Sequence, residues 1–227
     1  AFLLGQVYEA NGDKAAAYRM FKSVAGASSA TYRTQFNARI KQSEVYTGQN
    51  INSEVRSLQR MARLDRNKEY LDQIYYAIGN LYLSRRDTAN AIKNYEAAIN
   101  INPSNALTLN NFAYFLCTHK KDRIDDAARM AEMALAADPD NGSYLDTYAL
   151  VLFLKHDYKK ALEFIEKAAE HRDSDTGNAE LWEHYGDILF MLGKPAEAVE
   201  KWKDALKDNP GSKLLKKKIE NKTYFYE

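Results

Sequence analysis

Side chains that could carry catalysis or bind a metal are few in this chain and widely spaced. No HExxH or similar zinc-binding pair is formed by the four histidines, which lie at least thirteen residues apart. Cys117 is the single cysteine, which excludes an internal disulfide and a CxxC metal site. Gly193 and Lys194 lack the flanking residues of a phosphate-binding loop, and no G-x-G-x-x-G occurs. We therefore expect no metal, no cofactor and no enzymatic activity.

The elements that would position a binding site are indicated by one recurring interval. At four places a small residue is followed by an alanine twelve residues later: Gly5 and Ala17, Gly79 and Ala91, Ala149 and Ala161, Gly186 and Ala198. A fixed interval inside helical periodicity is typical of repeat proteins. Small residues at these positions allow two helices of one repeat to approach closely.

The interval belongs to a longer pattern that occurs in two well-matched copies. One copy contains Trp182, Tyr185, Gly186, Leu189, Ala198, Trp202, Ala205 and Pro210, and the other contains Tyr75, Ile78, Gly79, Tyr82, Ala91, Tyr95, Ala98 and Pro103. This pattern resembles the tetratricopeptide repeat, a helix-turn-helix unit of 34 residues. The resemblance implies an all-α fold, namely an α-solenoid in which about six such units form a right-handed superhelix.

The resemblance is strong over 72–212 and weak over 32–71. We expect a partial unit at 1–31, a degenerate helix pair at 32–71, repeats at 72–105, 106–141, 142–178 and 179–212, and a capping helix and tail at 213–227. A two-residue insertion near 120–126 lengthens the unit that starts at Ala106. Because the first unit begins where its first helix should already be under way, we expect the natural chain to extend upstream.

Candidate binding residues follow from the resemblance. In the family, the inward positions of each first helix lie three before, one after and four after the small residue, which is one helical face. Asparagine amides there could hold a peptide backbone, aromatic rings could form apolar pockets, and carboxylates would favour a basic ligand. The partner-binding residues predicted in this way are Tyr76, Asn80, Asn110, Tyr114, Asp146, Phe153, Glu183, Asp187 and Phe190.

The distribution of charge further limits the class of partner. Residues 1–71 carry 11 basic and 6 acidic side chains, whereas residues 142–212 carry 9 and 14. An acidic groove repels phosphate, so we expect no nucleic-acid partner. No apolar run approaches the length of a membrane span, so we expect none.

Two functions remain open at this point. The first is a non-catalytic scaffold that binds a peptide or helical segment of a protein partner in the concave groove, with a basic segment favoured at the C-terminal half. The alternative is a structural or self-associating component of a larger assembly, such as a homo-oligomer, whose groove is filled by its own or a neighbouring chain. The basic segment 213–222 and the aromatic end 223–227 favour this alternative.

Two short strings bear on origin and compartment. Leu-Asp-Gln-Ile-Tyr-Tyr-Ala at 71–77 and Leu-Asp-Thr-Tyr-Ala at 145–149 resemble strings in long tetratricopeptide proteins of Bacteroidetes, some of which are cell-envelope lipoproteins. The resemblance implies a bacterial protein of the cell envelope, either periplasmic or a lipoprotein, with the cytoplasm as the other location. Whether the groove or the convex face binds the partner stays open.

Overall fold

The computed structural model describes residues 1–172 and 178–225. All regular secondary structure in this described part is helical. The helices form two compact units, Ala1–Pro103 and Ser104–Glu227. Residues 173–177 of the predicted unit 142–178, and Tyr226 and Glu227 of the predicted aromatic tail, lie outside the described residues.

The first unit contains six α-helices and one 3-10 helix. These are α1 (Phe2–Ala10), α2 (Lys14–Ala25), α3 (Tyr32–Glu44), α4 (Asn52–Ala62), the 3-10 helix Asp65–Tyr70, α5 (Leu71–Leu83) and α6 (Thr88–Ile101). Helices α3, α4 and α5 share an apolar core that includes Phe36, Leu58 and Ile78. The segment in which the sequence pattern is weak therefore still forms a helix pair.

The second unit contains seven described α-helices. These are α7 (Ala106–His119), α8 (Ile124–Ala137), α9 (Gly142–Leu154), α10 (Tyr158–Glu170), α11 (Ala179–Met191), α12 (Pro195–Asp208) and α13 (Lys213–Asn221). The insertion near residue 120 folds as a 3-10 turn, Lys121–Arg123, ahead of α8. Helix α13, the predicted capping helix, follows α12 and buries Leu215 completely. Each predicted unit holds one described helix pair, while the unit boundaries themselves stay a prediction.

Four of the helix pairs are joined by the same turn. The residue before the second helix's N-cap is left-handed at Gly12, Arg86, His156 and Gly193. In each turn the next backbone N–H donates to the carbonyl five residues earlier, as between Asp87 and Tyr82 at 3.0 Å. This bond satisfies a carbonyl at the end of the first helix. A shared turn gives these pairs the same local connection.

Glycine in the first helix faces an aromatic ring of the second helix in three pairs. A Cβ atom added to Gly186 would lie 2.5 Å from the ring of Trp202, and one added to Gly79 would lie 2.9 Å from the ring of Tyr95. Gly5 stands in the same relation to Phe21. These contacts explain why glycine, rather than alanine, occupies the position where the second helix presents a large ring.

Replacement of Gly186 by alanine should destabilise the second unit. The new methyl group would displace the indole of Trp202, and overpacking of this kind costs about 1–3 kcal/mol of unfolding free energy. Chemical denaturation of Gly186→Ala and wild type measures the difference. The matched control is Gly211→Ala, because a Cβ there approaches no atom closer than 3.9 Å. Equal stabilities of Gly186→Ala and wild type would contradict the close-approach account.

Candidate functional site

A cluster of charged and aromatic side chains surrounds one concave space in the second unit. A cavity of about 450 Å³ is bordered by α7, α9, α11, α13 and the segment after α13. Residues of three first helices meet here because these helices belong to successive pairs of the unit. Side chains that line it include Tyr114, Cys117, Leu150, Phe153, Glu180, Glu183, His184, Asp187, Lys218 and Tyr224.

One wall of this cavity is a buried ion-pair network. Lys218 Nζ donates to both carboxylate oxygens of Asp187, at 2.7 and 2.8 Å, and to Glu183 Oε1 at 2.7 Å. Trp202 Nε1 donates to Asp187 Oδ1 at 2.9 Å. The Lys218 side chain is only 2% exposed. A lysine of the capping helix therefore neutralises carboxylates that the sequence predicted to face a partner.

His184 lies beside this network on α11 and has a carboxylate partner of its own. Its Nδ1 lies 2.8 Å from Asp146 Oδ1. Burial alone lowers the pKa of His184, but the charge and hydrogen bond of Asp146, with Asp187 and Glu180 nearby, raise it to about 9. His184 is therefore an imidazolium at neutral pH. Burial raises the pKa of Asp187 to about 6 against the opposing effect of Lys218, so Asp187 is mainly ionised at neutral pH.

The side of the cavity formed by α7 carries uncharged groups. Tyr114 donates its hydroxyl to Glu180 Oε2 at 3.0 Å, and burial, with the charge of Glu180, raises the pKa of Tyr114. Burial also raises the pKa of the Cys117 thiol to about 12. The thiol is thus protonated and unsuited to nucleophilic attack at neutral pH. Glu180 itself belongs to α11 and remains exposed.

The segment after α13 folds back over the cavity. Lys222 is left-handed, with φ of 48°, and the Thr223 N–H donates to the Lys218 carbonyl at 3.2 Å. This reversal places the ring of Tyr224 against Phe153, with centroids 5.8 Å apart. The Lys218 ammonium lies 5.2 Å from the Tyr224 ring centroid. The C-terminal segment is thus part of the site.

The structure brings together five of the nine residues predicted from the sequence. Tyr114, Phe153, Glu183 and Asp187 line the cavity, and Asp146 supports it through His184. Phe190 instead packs against Trp202 inside the last helix pair, with ring centroids 6.0 Å apart. Asn110 is only 4% exposed, and its amide donates to Asn111.

The two predicted residues of the first unit form contacts of their own. Asn80 Oδ1 accepts a hydrogen bond from the Tyr95 hydroxyl at 2.6 Å, and the Tyr76 ring lies 6.0 Å from that of Tyr95. Asn80 and Asp187 both follow the small residue and accept from the aromatic residue fifteen positions later. This position therefore also serves packing within the repeat.

Two residues of the site were missed by reasoning from the sequence. Lys218 follows Leu215 by three residues and precedes Ile219 by one, which places it on the apolar face of α13. A lysine on an apolar face signals a buried partner, so this pattern could have revealed the ion pair. His184 carried no comparable signal. Tyr224 lies in the aromatic end 223–227, which already favoured a groove filled by the chain itself.

The described residues were also compared with the needs of a metal site and of a membrane span. Within 1–172 and 178–225, no group of three or more histidine, cysteine, aspartate or glutamate side chains could hold a metal ion. No helix in these ranges is both long and apolar enough to cross a bilayer.

Loss of the Lys218 ammonium should strongly destabilise the second unit. Removal of one partner from a buried ion pair costs about 3–5 kcal/mol, because the other charge stays buried. Lys218→Met should show this loss in chemical denaturation, whereas the exposed Lys216→Met should not. Addition of Asp187→Asn should restore much of the stability, since the amide oxygen of the new side chain can still accept from Trp202. No recovery in the double variant would refute the ion-pair explanation.

Stability should also fall as the pH rises, because of His184. Its folded-state pKa of about 9 exceeds the ordinary value of about 6.5, so its contribution is complete below about pH 6.5 and is lost as the pH rises towards 9. Between pH 7 and 8.5, His184→Asn should flatten the pH dependence of the unfolding free energy. His119→Asn, on an exposed histidine, is the matched control. The same slope in His184→Asn and wild type would contradict the assignment.

Comparison with known proteins agrees with this architecture. The tetratricopeptide-repeat family profile matches residues 72–105, and the profile of anaphase-promoting complex, cyclosome, subunit 3 matches residues 120–205. An uncharacterised protein of Haemophilus influenzae is 27% identical over 154 residues, which cover 68% of this chain and 83% of that protein. The type IV pilus assembly protein PilF of Pseudomonas aeruginosa is 25% identical over 154 residues. That match covers 66% of this chain and 59% of PilF.

Solved structures show the same fold. PilW, a type IV pilus biogenesis factor, has a TM-score of 0.66 at 16% identity, with 82% of this chain and 84% of PilW covered. MamA has a TM-score of 0.53 at 18% identity, with 68% of this chain and 81% of MamA covered. The predicted all-α solenoid fold class is confirmed. The chain thus contains a match to the tetratricopeptide repeat at residues 72–105, within an α-solenoid fold similar to that of these structures.

Proposed function

We propose that this protein is a non-catalytic scaffold that binds a segment of a partner protein in the cavity of its second unit. The observation that carries the proposal is the cavity itself, in which the inward faces of three successive first helices place aromatic and charged side chains around one space. Repeat proteins use this surface for extended ligands. A volume of about 450 Å³ accommodates side chains of a bound segment rather than a whole domain.

The surroundings of the cavity favour a segment that carries basic and aromatic residues. Glu180 is exposed, and the Glu183 side chain is 23% exposed although Lys218 contacts it. These two carboxylates can receive a lysine or arginine of a partner. Phe153 and Tyr114 offer rings beside them. The chain's own basic Lys218 and aromatic Tyr224 already occupy the neighbouring space.

A non-catalytic role is consistent with the state of the titratable groups. His184 is held as an imidazolium by Asp146, and the Asp187 carboxylate is held by Lys218. A general acid or base must be free to reach the substrate proton that it transfers. These charges instead satisfy one another, which suits a preformed binding surface.

The relatives suggest a setting for the scaffold. PilF is named as a pilus assembly protein and PilW as a pilus biogenesis factor. We extend this to a role in assembling a multi-protein complex, with the bacterial cell envelope as the proposed location. The chain spans about 59% of the length of PilF, so its partners are assigned through the cavity alone.

A second candidate function is favoured by the C-terminal segment. Tyr224 and Phe225 line the cavity, so the groove is occupied in part by the chain itself. In this alternative the protein is a structural component of a larger assembly, and its own segment or a second copy fills the groove. Light scattering of the full chain and of a form that ends at Lys222 distinguishes the two. A loss of self-association upon truncation supports the alternative.

Obstruction of the cavity should abolish partner capture. The double variant Thr118→Arg, Glu180→Lys changes two exposed positions at the cavity edge, introduces bulk and reverses the charge. Pull-down from the source organism, followed by calorimetry with the identified partner, should show at least a tenfold loss of affinity. Circular dichroism and thermal unfolding establish that the variant is folded.

The matched control reverses charge on the outer helix of the preceding pair. Glu163→Lys lies on α10, is exposed and does not line the cavity. It should bind the partner as wild type does. Unchanged binding by the folded Thr118→Arg, Glu180→Lys variant would exclude the cavity as the binding site.

A further inference from the structure

The first unit carries two arginines that are fixed on tyrosine rings in a reciprocal arrangement. The Arg66 guanidinium lies 3.8 Å from the ring centroid of Tyr32, and the Arg33 guanidinium lies 4.3 Å from that of Tyr70. Tyr32 and Arg33 begin α3, whereas Arg66 and Tyr70 belong to the 3-10 helix Asp65–Tyr70. We call these four residues the arginine–tyrosine cluster.

Buried contacts hold the cluster in place from below. Asn67 is completely buried, accepts the Tyr32 hydroxyl at 2.6 Å and donates to the Met61 carbonyl at 2.8 Å. The ring of Tyr70 packs against Phe36 with centroids 5.0 Å apart. Both guanidinium groups are thus supported by rings whose own positions are fixed. Their side chains remain exposed to solvent.

The surroundings of the cluster are strongly basic. Arg56 and Arg60 lie on α4 and Arg63 directly follows its last residue; the intervals of four and three place them on one helical face. Among the described residues, no carboxylate forms an ion pair with these three or with Arg33 and Arg66. Asp65 is paired with Lys68 at 3.0 Å, and Glu69 is exposed. The local positive charge is therefore largely uncompensated.

The kind of cation indicates the ligand as much as the positive charge does, because arginine and lysine bind carboxylates differently. Nine of the twelve arginines lie before residue 87, so guanidinium groups are concentrated in the first unit. A guanidinium can donate two parallel hydrogen bonds to a carboxylate, which an ammonium cannot. Stacking on a ring leaves the N–H edges of the guanidinium free and removes part of the entropy cost of binding.

We propose that the arginine–tyrosine cluster is a second binding site, which takes an acidic polypeptide segment through its carboxylates. This site is independent of the cavity in the second unit and prefers the opposite charge. A scaffold with both sites can hold a basic and an acidic segment at once.

Two other anionic partners fit the cluster less well. Single-stranded nucleic acid is bound by stacking of bases on aromatic faces, but Arg66 and Arg33 already cover faces of Tyr32 and Tyr70. Stable anchoring of a helix on a membrane surface takes apolar side chains beside the basic ones. Leu64 is the one large, exposed apolar residue described between 32 and 71. A polypeptide needs neither feature.

The test measures binding of a fluorescein-labelled octaglutamate peptide to the full chain by fluorescence anisotropy. Arg33→Gln with Arg66→Gln should weaken binding at least tenfold, because both bidentate contacts are lost. Arg19→Gln with Lys93→Gln, which removes the same charge from exposed positions elsewhere in the first unit, should change affinity less than twofold. If both double variants lose the same affinity for octaglutamate, binding depends only on general charge attraction and the proposal is overturned.

A second variant separates the geometry of the guanidinium groups from their charge. It also keeps the proposal testable if the glutamine variant does not fold. Arg33→Lys with Arg66→Lys keeps both charges and loses the planar guanidinium groups, so affinity for octaglutamate should fall at least threefold. Affinity equal to that of wild type would overturn the proposal. Binding to phosphatidylcholine vesicles that contain phosphatidylserine, without binding to octaglutamate, would also overturn it in favour of a lipid partner. If the Thr118→Arg, Glu180→Lys variant binds the partner as wild type does, the octaglutamate results still stand, because the two sites share no residue.

Discussion

The close approach of the two helices within a pair is the constraint on which the remaining structure depends. Glycine in the first helix lies under an aromatic ring of the second, most closely at Gly186 and Trp202. A side chain at the glycine would separate the helices. Where alanine replaces glycine, at Ala113 and Ala149, the corresponding second-helix positions hold Ala131 and Ile165, which are smaller than an indole. Ring size and glycine thus vary together along the chain.

The chemistry of the candidate site follows from this packing. A ring that carries a hydrogen-bond donor needs an acceptor, and the residue after the glycine supplies it, as Asn80 does for Tyr95 and Asp187 does for Trp202. Because it accepts this hydrogen bond, the Asp187 carboxylate lies buried while it carries a negative charge. Burial of an unpaired carboxylate is costly, and Lys218 of the capping helix compensates for it. The capping helix is therefore part of the electrostatics of the cavity as well as a cover for the last repeat.

The repeat pattern predicts most of the fold, whereas the partners of the site residues depend on tertiary contacts. Intervals of twelve residues identify the helix pairs because close approach demands small residues there. The inward face of each first helix placed Tyr114, Phe153, Glu183 and Asp187 at the cavity. The same spacing also selects Asn80 and Phe190, whose contacts are made with their own second helix. Neither the fold-back of Tyr224 nor the reciprocal stacks of Arg33 and Arg66 follow from periodicity, since each joins segments with no fixed spacing.

The central claim is that partner proteins bind in the cavity formed by α7, α9, α11 and the C-terminal segment. Hydrogen–deuterium exchange of the full chain, alone and saturated with a captured partner, tests it most directly. Our account predicts slower exchange in peptides from 114–121, 180–188 and 218–225 when the partner is bound. Protection confined to α10 and α12, with no change in these three regions, would contradict it and assign binding to the second helices of the repeats.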